Sequence, residues 1–187
     1  MQANPLLQQD QSVVVIVDVQ EKLAPVIHQR DQVLGRIRWL GEISNELDVP
    51  VVVTEQYPKG LGFTVPELSR VIEHARVVEK LHFSALQQDT FAEALNELAR
   101  PQVVLMGMET HVCILQTAAD LLAAGYRVFV VEDAVGSRRD SDKQTALKRL
   151  RQFGAQIISS EMAAYEWLHQ SGTDTFRHIT KNWIRAK

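Results

Sequence analysis

One thiol, one carboxylate and one ammonium frame the chemistry open to this chain. Cys113 is the only cysteine among 187 residues, and it closes the segment Gly107-Met108-Glu109-Thr110-His111-Val112-Cys113. An apolar run, Val103-Val104-Leu105-Met106, precedes the segment, and a helix-like stretch from Ile114 to Ala124 follows it. A strand that breaks at a glycine and turns into a helix presents a thiol at the helix's first turn, where backbone N–H groups and the macrodipole favour a thiolate. That is where a nucleophile belongs. A lone cysteine is also commonly a small buried hydrophobe, so its neighbours decide. Asp18 follows the apolar run Val13 to Val17, and Glu79-Lys80 follow Val77-Val78. An aspartate can take the thiol proton, while a lysine favours both the carboxylate and the thiolate, as in a cysteine–histidine pair.

These groups meet only if the elements before them lie side by side. Apolar, β-branched runs recur at Val13 to Val17, Val49 to Val53, Val77-Val78, Val103 to Met106, Val128 to Val131 and Ile157-Ile158. Most lack alternation, the pattern of strands covered on both faces in a parallel sheet. Helical spacing separates them: Val33, Ile37, Leu40 and Leu47 form one apolar stripe, and Phe91, Leu95 and Leu98 another. Thr90 with Glu93 has capping-box spacing before a stop at Pro101, Thr64 with Glu67 marks a further helix start, and Gly125 and Gly154 fall at helix C-caps. The alternation predicts an α/β fold of three αβα layers, Rossmann-like. Its doubly wound sheet should have about six mostly parallel strands joined by right-handed crossovers. Ligands of such sheets bind beyond the carboxyl ends of the strands, where Asp18, Lys80, the Cys113 loop and Thr54-Glu55-Gln56 all fall.

Composition bounds the partners. At 45% hydrophobic and 23% charged, the chain reads as a single globular domain over 1–187, with an N-terminal extension over 1–11 and no internal repeat. A net charge of -3 gives no basic footprint for nucleic acid or an anionic membrane, which leaves a small-molecule substrate as the expected partner. One cysteine makes no intrachain disulfide, and no leader pattern or spanning run is seen, so a cytoplasmic protein is expected. The tail 173–187 reads as a final amphipathic helix whose Phe176, Ile179, Trp183 and Ile184 need a cover, from the sheet layer or from another subunit.

Read together, three segments resemble the isochorismatase-like cysteine hydrolase superfamily. They are Val14-Val15-Ile16-Val17-Asp18-Val19-Gln20, then Glu79-Lys80 with Phe83-Ser84-Ala85, then Gly107 to Cys113 with Gln116-Thr117-Ala118. The match runs from about residue 12 to about residue 165. Within it, Thr54-Glu55-Gln56-Tyr57-Pro58 with Leu61-Gly62 and Thr64 resembles the isochorismatase-domain hydrolases of undetermined substrate. The resemblance implies Asp18 as general base, Lys80 as its electrostatic partner and Cys113 as nucleophile. It further implies a cis peptide between Met108 and Glu109, with the N–H groups of Glu109 and Cys113 as the oxyanion hole, and a homo-oligomer whose neighbouring subunits sometimes wall the site. Gln20, Glu55, Gln56, Tyr57, Phe83, Thr110 and His111 are then candidates for substrate binding.

The expected reaction is thiolate attack on a small amide or related carbonyl, through a thioester. Nicotinamidases of the superfamily carry an Asp-x-His metal motif after the second strand. Here that place reads Thr54-Glu55-Gln56-Tyr57, so no metal and no other cofactor is expected. Isochorismate-type ether hydrolysis would need recognition of two carboxylates, and no arginine cluster stands at the strand ends. Glu55, if it faces the pocket, favours an amide N–H₂ or a cation. His82 and His111 lie nearest the site, whereas His28, His74, His169 and His178 read as ordinary surface or packing residues. A non-catalytic scaffold and a ribonuclease are the alternatives from other classes.

Overall fold

The computed structural model describes residues 4–185, so Met1 to Ala3 of the extension and Ala186-Lys187 of the tail lie outside it. Six strands form one all-parallel sheet in the order β3-β2-β1-β4-β5-β6. They are β1 (Ser12–Val17), β2 (Val51–Gln56), β3 (Arg76–Lys80), β4 (Gln102–Met108), β5 (Arg127–Gly136) and β6 (Gln156–Ile158). Alternate residues of each strand enter opposite apolar layers. Val14 and Ile16 join a layer with Val33, Ile37 and Leu40 of α1 (Arg30–Glu46), Val71 of α3 (Ser69–Ile72) and Ala163, Ala164 and Trp167 of α7 (Ser160–Leu168). Val13, Val15 and Val17 join the other, with Phe91 and Leu95 of α4 (Asp89–Leu98), Ala118 and Leu121 of α5 (Leu115–Ala123) and Leu147 and Leu150 of α6 (Asp140–Phe153). This two-sided burial is why the strand sequences do not alternate. Edge strand β3 departs from it: Val77 is exposed.

The strand order turns back between β1 and β4, which pair from Ser12↔Gln102 to Val17↔Gly107. That gap is the switch point where open parallel sheets bind ligands. Gly107 is there by steric necessity: its φ is +121, and a Cβ would stand 2.1 Å from the Val17 carbonyl oxygen.

Several local expectations are corrected. Thr90 makes no capping box, because α4 already starts at Asp89 after Gln88; it ends at Leu98, with Ala99 left-handed, ahead of Pro101. Thr64 starts no helix; a short 3-10 turn, Pro66–Leu68, runs into α3. Gly125 and Gly154 do follow helix ends with positive φ. The extension is held down: Leu7 is buried, and its N–H donates to Glu166 at 2.7 Å. The tail divides into α8 (Asp174–Ile179) and a π turn over Thr180–Ile184. Its apolar stripe lies on the α1 side of this same chain, with Ile179 fully buried and Trp183 and Ile184 packed on that layer.

Candidate active site

Asp18 leaves β1 in a left-handed conformation, φ 53, which turns its carboxylate under the strand ends. Each strand on its flank then supplies a partner by register. Val17 pairs with Thr54 of β2, and Thr54 Oγ1 donates to Asp18 Oδ1 at 2.7 Å. Lys80 ends β3, and its Nζ donates to Asp18 Oδ2 at 2.8 Å, with both side chains fully buried. Cys113 follows β4, and its thiol lies near enough to Asp18 and Lys80 for both charges to bear on it. Carboxylate, ammonium and thiol thus converge at one buried point.

Cys113 does not sit at the first turn of an α-helix, as its sequence context predicts. Thr110–Ile114 form a π turn that continues into α5, closed by the N–H groups of Val112 and Ile114 donating to the Glu109 carbonyl. The Met108–Glu109 peptide is cis. Electrostatically, the thiolate expectation is reversed. Burial, with the Asp18 charge beside it, pushes the Cys113 thiol up to about 12, against the opposing pull of Lys80. Burial also raises the Asp18 carboxyl above its ordinary value, while Lys80 and Thr54 act in the lowering direction. The resting site is therefore a neutral thiol beside a carboxylate that Lys80 holds.

The candidate substrate residues separate into two groups. Gln20 is fully buried and committed to the backbone: its Nε2 donates to the carbonyls of Gln56 and Gly62, and its Oε1 accepts from Gln56 N–H. Gln56 gives its Oε1 to Lys80 at 2.6 Å. Glu55 is buried, and its Oε1 accepts from the N–H and Oγ1 of Thr64, each at 2.7 Å. These three fasten loops. Tyr57 and Phe83 are exposed, and Phe83 borders a cleft of about 490 Å³ with Leu81, His82, Ser84 and Gln116. Thr110 is buried with its Oγ1 unpartnered. His111 is half-buried, its Nδ1 2.9 Å from Ser137 Oγ. Glu109 turns its carboxylate to Arg138 Nε at 3.0 Å. Among the described residues, no group of three or more histidine, cysteine or acidic side chains is placed to hold a metal.

Sequence reasoning placed Thr54 at the strand ends without its bond to Asp18, and missed Ser137 and Arg138. Thr54 was accessible from the pairing of a parallel sheet, since the first residue after an apolar run neighbours the corresponding residue of the next strand. Ser137 and Arg138 were hidden because β5 continues five residues past the apolar run ending at Val131, to Gly136.

Comparison with known proteins agrees with the fold. The isochorismatase domain matches residues 12–162. The secreted isochorismatase effector Isc1 of Phytophthora sojae is 40% identical over 174 residues, 91% of this chain and 83% of the effector. The structure of MAR1 ribonuclease from Caenorhabditis elegans is 36% identical with a TM-score of 0.88, covering 94% of this chain and 91% of that one. The YcaC gene product of Escherichia coli, described as an octameric hydrolase of unknown specificity, shares the fold at 24% identity and a TM-score of 0.90, covering 98% of this chain and 93% of that one. With the domain matched over most of its length and a relative at 40% identity, this chain belongs to the isochorismatase family.

Proposed function

We propose that this isochorismatase-family hydrolase is a cysteine hydrolase of a small amide or related carbonyl compound, with Cys113 as nucleophile, Asp18 as base and Lys80 as the counter-charge of Asp18. The observation that carries the reading is the Cys113 thiol beside Asp18, whose two carboxylate oxygens are held by Lys80 Nζ at 2.8 Å and Thr54 Oγ1 at 2.7 Å. A thiol pushed up to about 12 is a poor spontaneous nucleophile but a good one when its proton moves in step with attack. Asp18 takes that proton as sulfur bonds to the carbonyl carbon, and the N–H groups of Glu109 and Cys113 receive the oxyanion. As the C–N bond breaks, Asp18 returns the proton to the leaving amine. Water then attacks the thioester, gives a proton to Asp18, and expels Cys113, which is reprotonated.

The octameric YcaC protein supports a homo-oligomer as part of this proposal. The cytoplasmic setting also belongs here, supported by a single cysteine that needs no oxidising compartment; the Phytophthora relative is described as secreted. Among the described residues, no helix is long and apolar enough to cross a membrane.

The test is a panel of small amides, ureas and esters followed by intact mass and turnover. Expected are an acyl adduct on Cys113 and product formation, both absent in Cys113→Ala. No adduct and no turnover with any compound overturns the proposal. RNA cleavage that survives Cys113→Ala would favour instead the activity named for the worm relative.

A further inference from the structure

Gln56 ends β2 and faces Lys80. The two residues are partners in the β2–β3 register. Gln56 Oε1 accepts from Lys80 Nζ at 2.6 Å, and Gln56 Nε2 donates to the Leu81 carbonyl at 2.8 Å. Both ends of the amide are therefore in use. Its main chain is fixed as well, since Gln20 Oε1 accepts from Gln56 N–H and Gln20 Nε2 donates to the Gln56 carbonyl.

Around the ammonium stand Asp18 Oδ2, Gln56 Oε1 and the carbonyls of His82 and Phe83, at 2.8, 2.6, 3.2 and 3.3 Å. Of these acceptors Asp18 alone is charged. A carboxylate at position 56 would hold the ammonium equally well, but it would claim much of a charge that Asp18 and Cys113 otherwise have to themselves. Other charged and titratable groups near the site are engaged or turned outward: Glu55 bonds Thr64, Glu109 bonds Arg138, His111 bonds Ser137, and the side chains of Glu79 and His82 are exposed.

We infer that Gln56 is a positioning residue: it holds Lys80 against Asp18 and, being uncharged, leaves the field of the ammonium on the Asp18–Cys113 pair. Its catalytic meaning rests on the hydrolase proposal, whereas its electrostatic effect is measurable without a substrate. Alkylation of Cys113 by iodoacetamide at pH 8, followed by intact mass, compares the native chain with Gln56→Met and Gln56→Glu. Methionine keeps length and neutrality but gives up the bond to Lys80, which Asp18 still holds, so its rate should fall by no more than about threefold. Glutamate should slow alkylation about tenfold, with the rate-against-pH line displaced upward by about one pH unit. Equal rates in all three proteins, or equal slowing by both substitutions, would overturn the inference.

Should Gln56→Glu fail to fold, Gln56→Met decides with a substrate from the panel. Its kcat should fall at unchanged KM. A raised KM with kcat retained would make Gln56 a substrate contact and overturn the inference. Failure of the hydrolase proposal is distinct, appearing as native protein that no compound acylates while the alkylation comparison still stands.

Discussion

Asp18 takes bonds from Thr54 and Lys80 while its charge bears on the Cys113 thiol, and this makes it the residue on which both folding and the proposed chemistry depend. Asp18→Asn keeps the shape but leaves a fully buried ammonium without its counter-charge, which in such settings costs about 3–5 kcal/mol. Urea unfolding should show that loss, and turnover should vanish. The double variant Asp18→Asn with Lys80→Met should recover most of the stability and none of the turnover. Cys113 carries its own pH signature. Its thiol titrates near the ordinary 9.0 in the unfolded chain and is pushed up to about 12 in the folded one. Stability held by the neutral thiol is therefore complete below pH 9 and is lost as the pH rises toward 12, by up to about 4 kcal/mol. Unfolding of the native chain across that range should show a decline that Cys113→Ala lacks. Asp18, Lys80 and Cys113 were legible because each directly follows a predicted strand or its glycine break. The roles of Glu55, Gln20 and Gln56 were not, because position at a strand end does not say which way a side chain points, and Thr64 and the loop carbonyls decided that.

At the scale of elements, β1 and β4 must approach closely enough to bring Asp18 and the Cys113 loop together, and Gly107 permits it. In Gly107→Ala the new Cβ meets backbone, the Val17 carbonyl at 2.1 Å, in a conformation already strained for an L residue. Backbone cannot step aside as a flexible side chain would. The expected cost is about 3–5 kcal/mol, read as a fall in the urea midpoint, and Val17 directly precedes Asp18, so activity should fall further than the unfolded fraction explains. Strands were legible because parallel burial gives uninterrupted β-branched runs, as at Val13 to Val17. Their ends were less so: β5 runs on through Glu132 and Asp133 to Gly136, polar residues that end a hydropathic run without ending the hydrogen-bonded ladder. The start of α4 was misplaced by two residues because an acceptable capping pair at Thr90 competes with a helix already begun at Asp89 after Gln88.

For the whole molecule, the tail decides what its apolar stripe says about assembly. Periodicity over 173–187 exposes the need for a cover without naming it, because the complementary face is α1, far away in sequence. Trp39 Nε1 donates to the Trp183 carbonyl at 3.0 Å, Trp183 Nε1 donates to Glu42 Oε2 at 3.1 Å, and Ile179 is fully buried in the same layer. Ile179 and Trp183 are thus engaged within the chain, while Trp183 and Ile184 keep part of their surface open to solvent or to a neighbouring subunit. Ile179→Ala separates the two possibilities. If Ile179 is core, deleting its buried methylenes costs about 3 kcal/mol, so the urea midpoint should fall while the mass by light scattering at fixed protein concentration stays the same. A lower mass with an unchanged midpoint would place the tail at a subunit contact instead. The first outcome is expected because a side chain with no exposed surface in the single chain has none left to give to a neighbour.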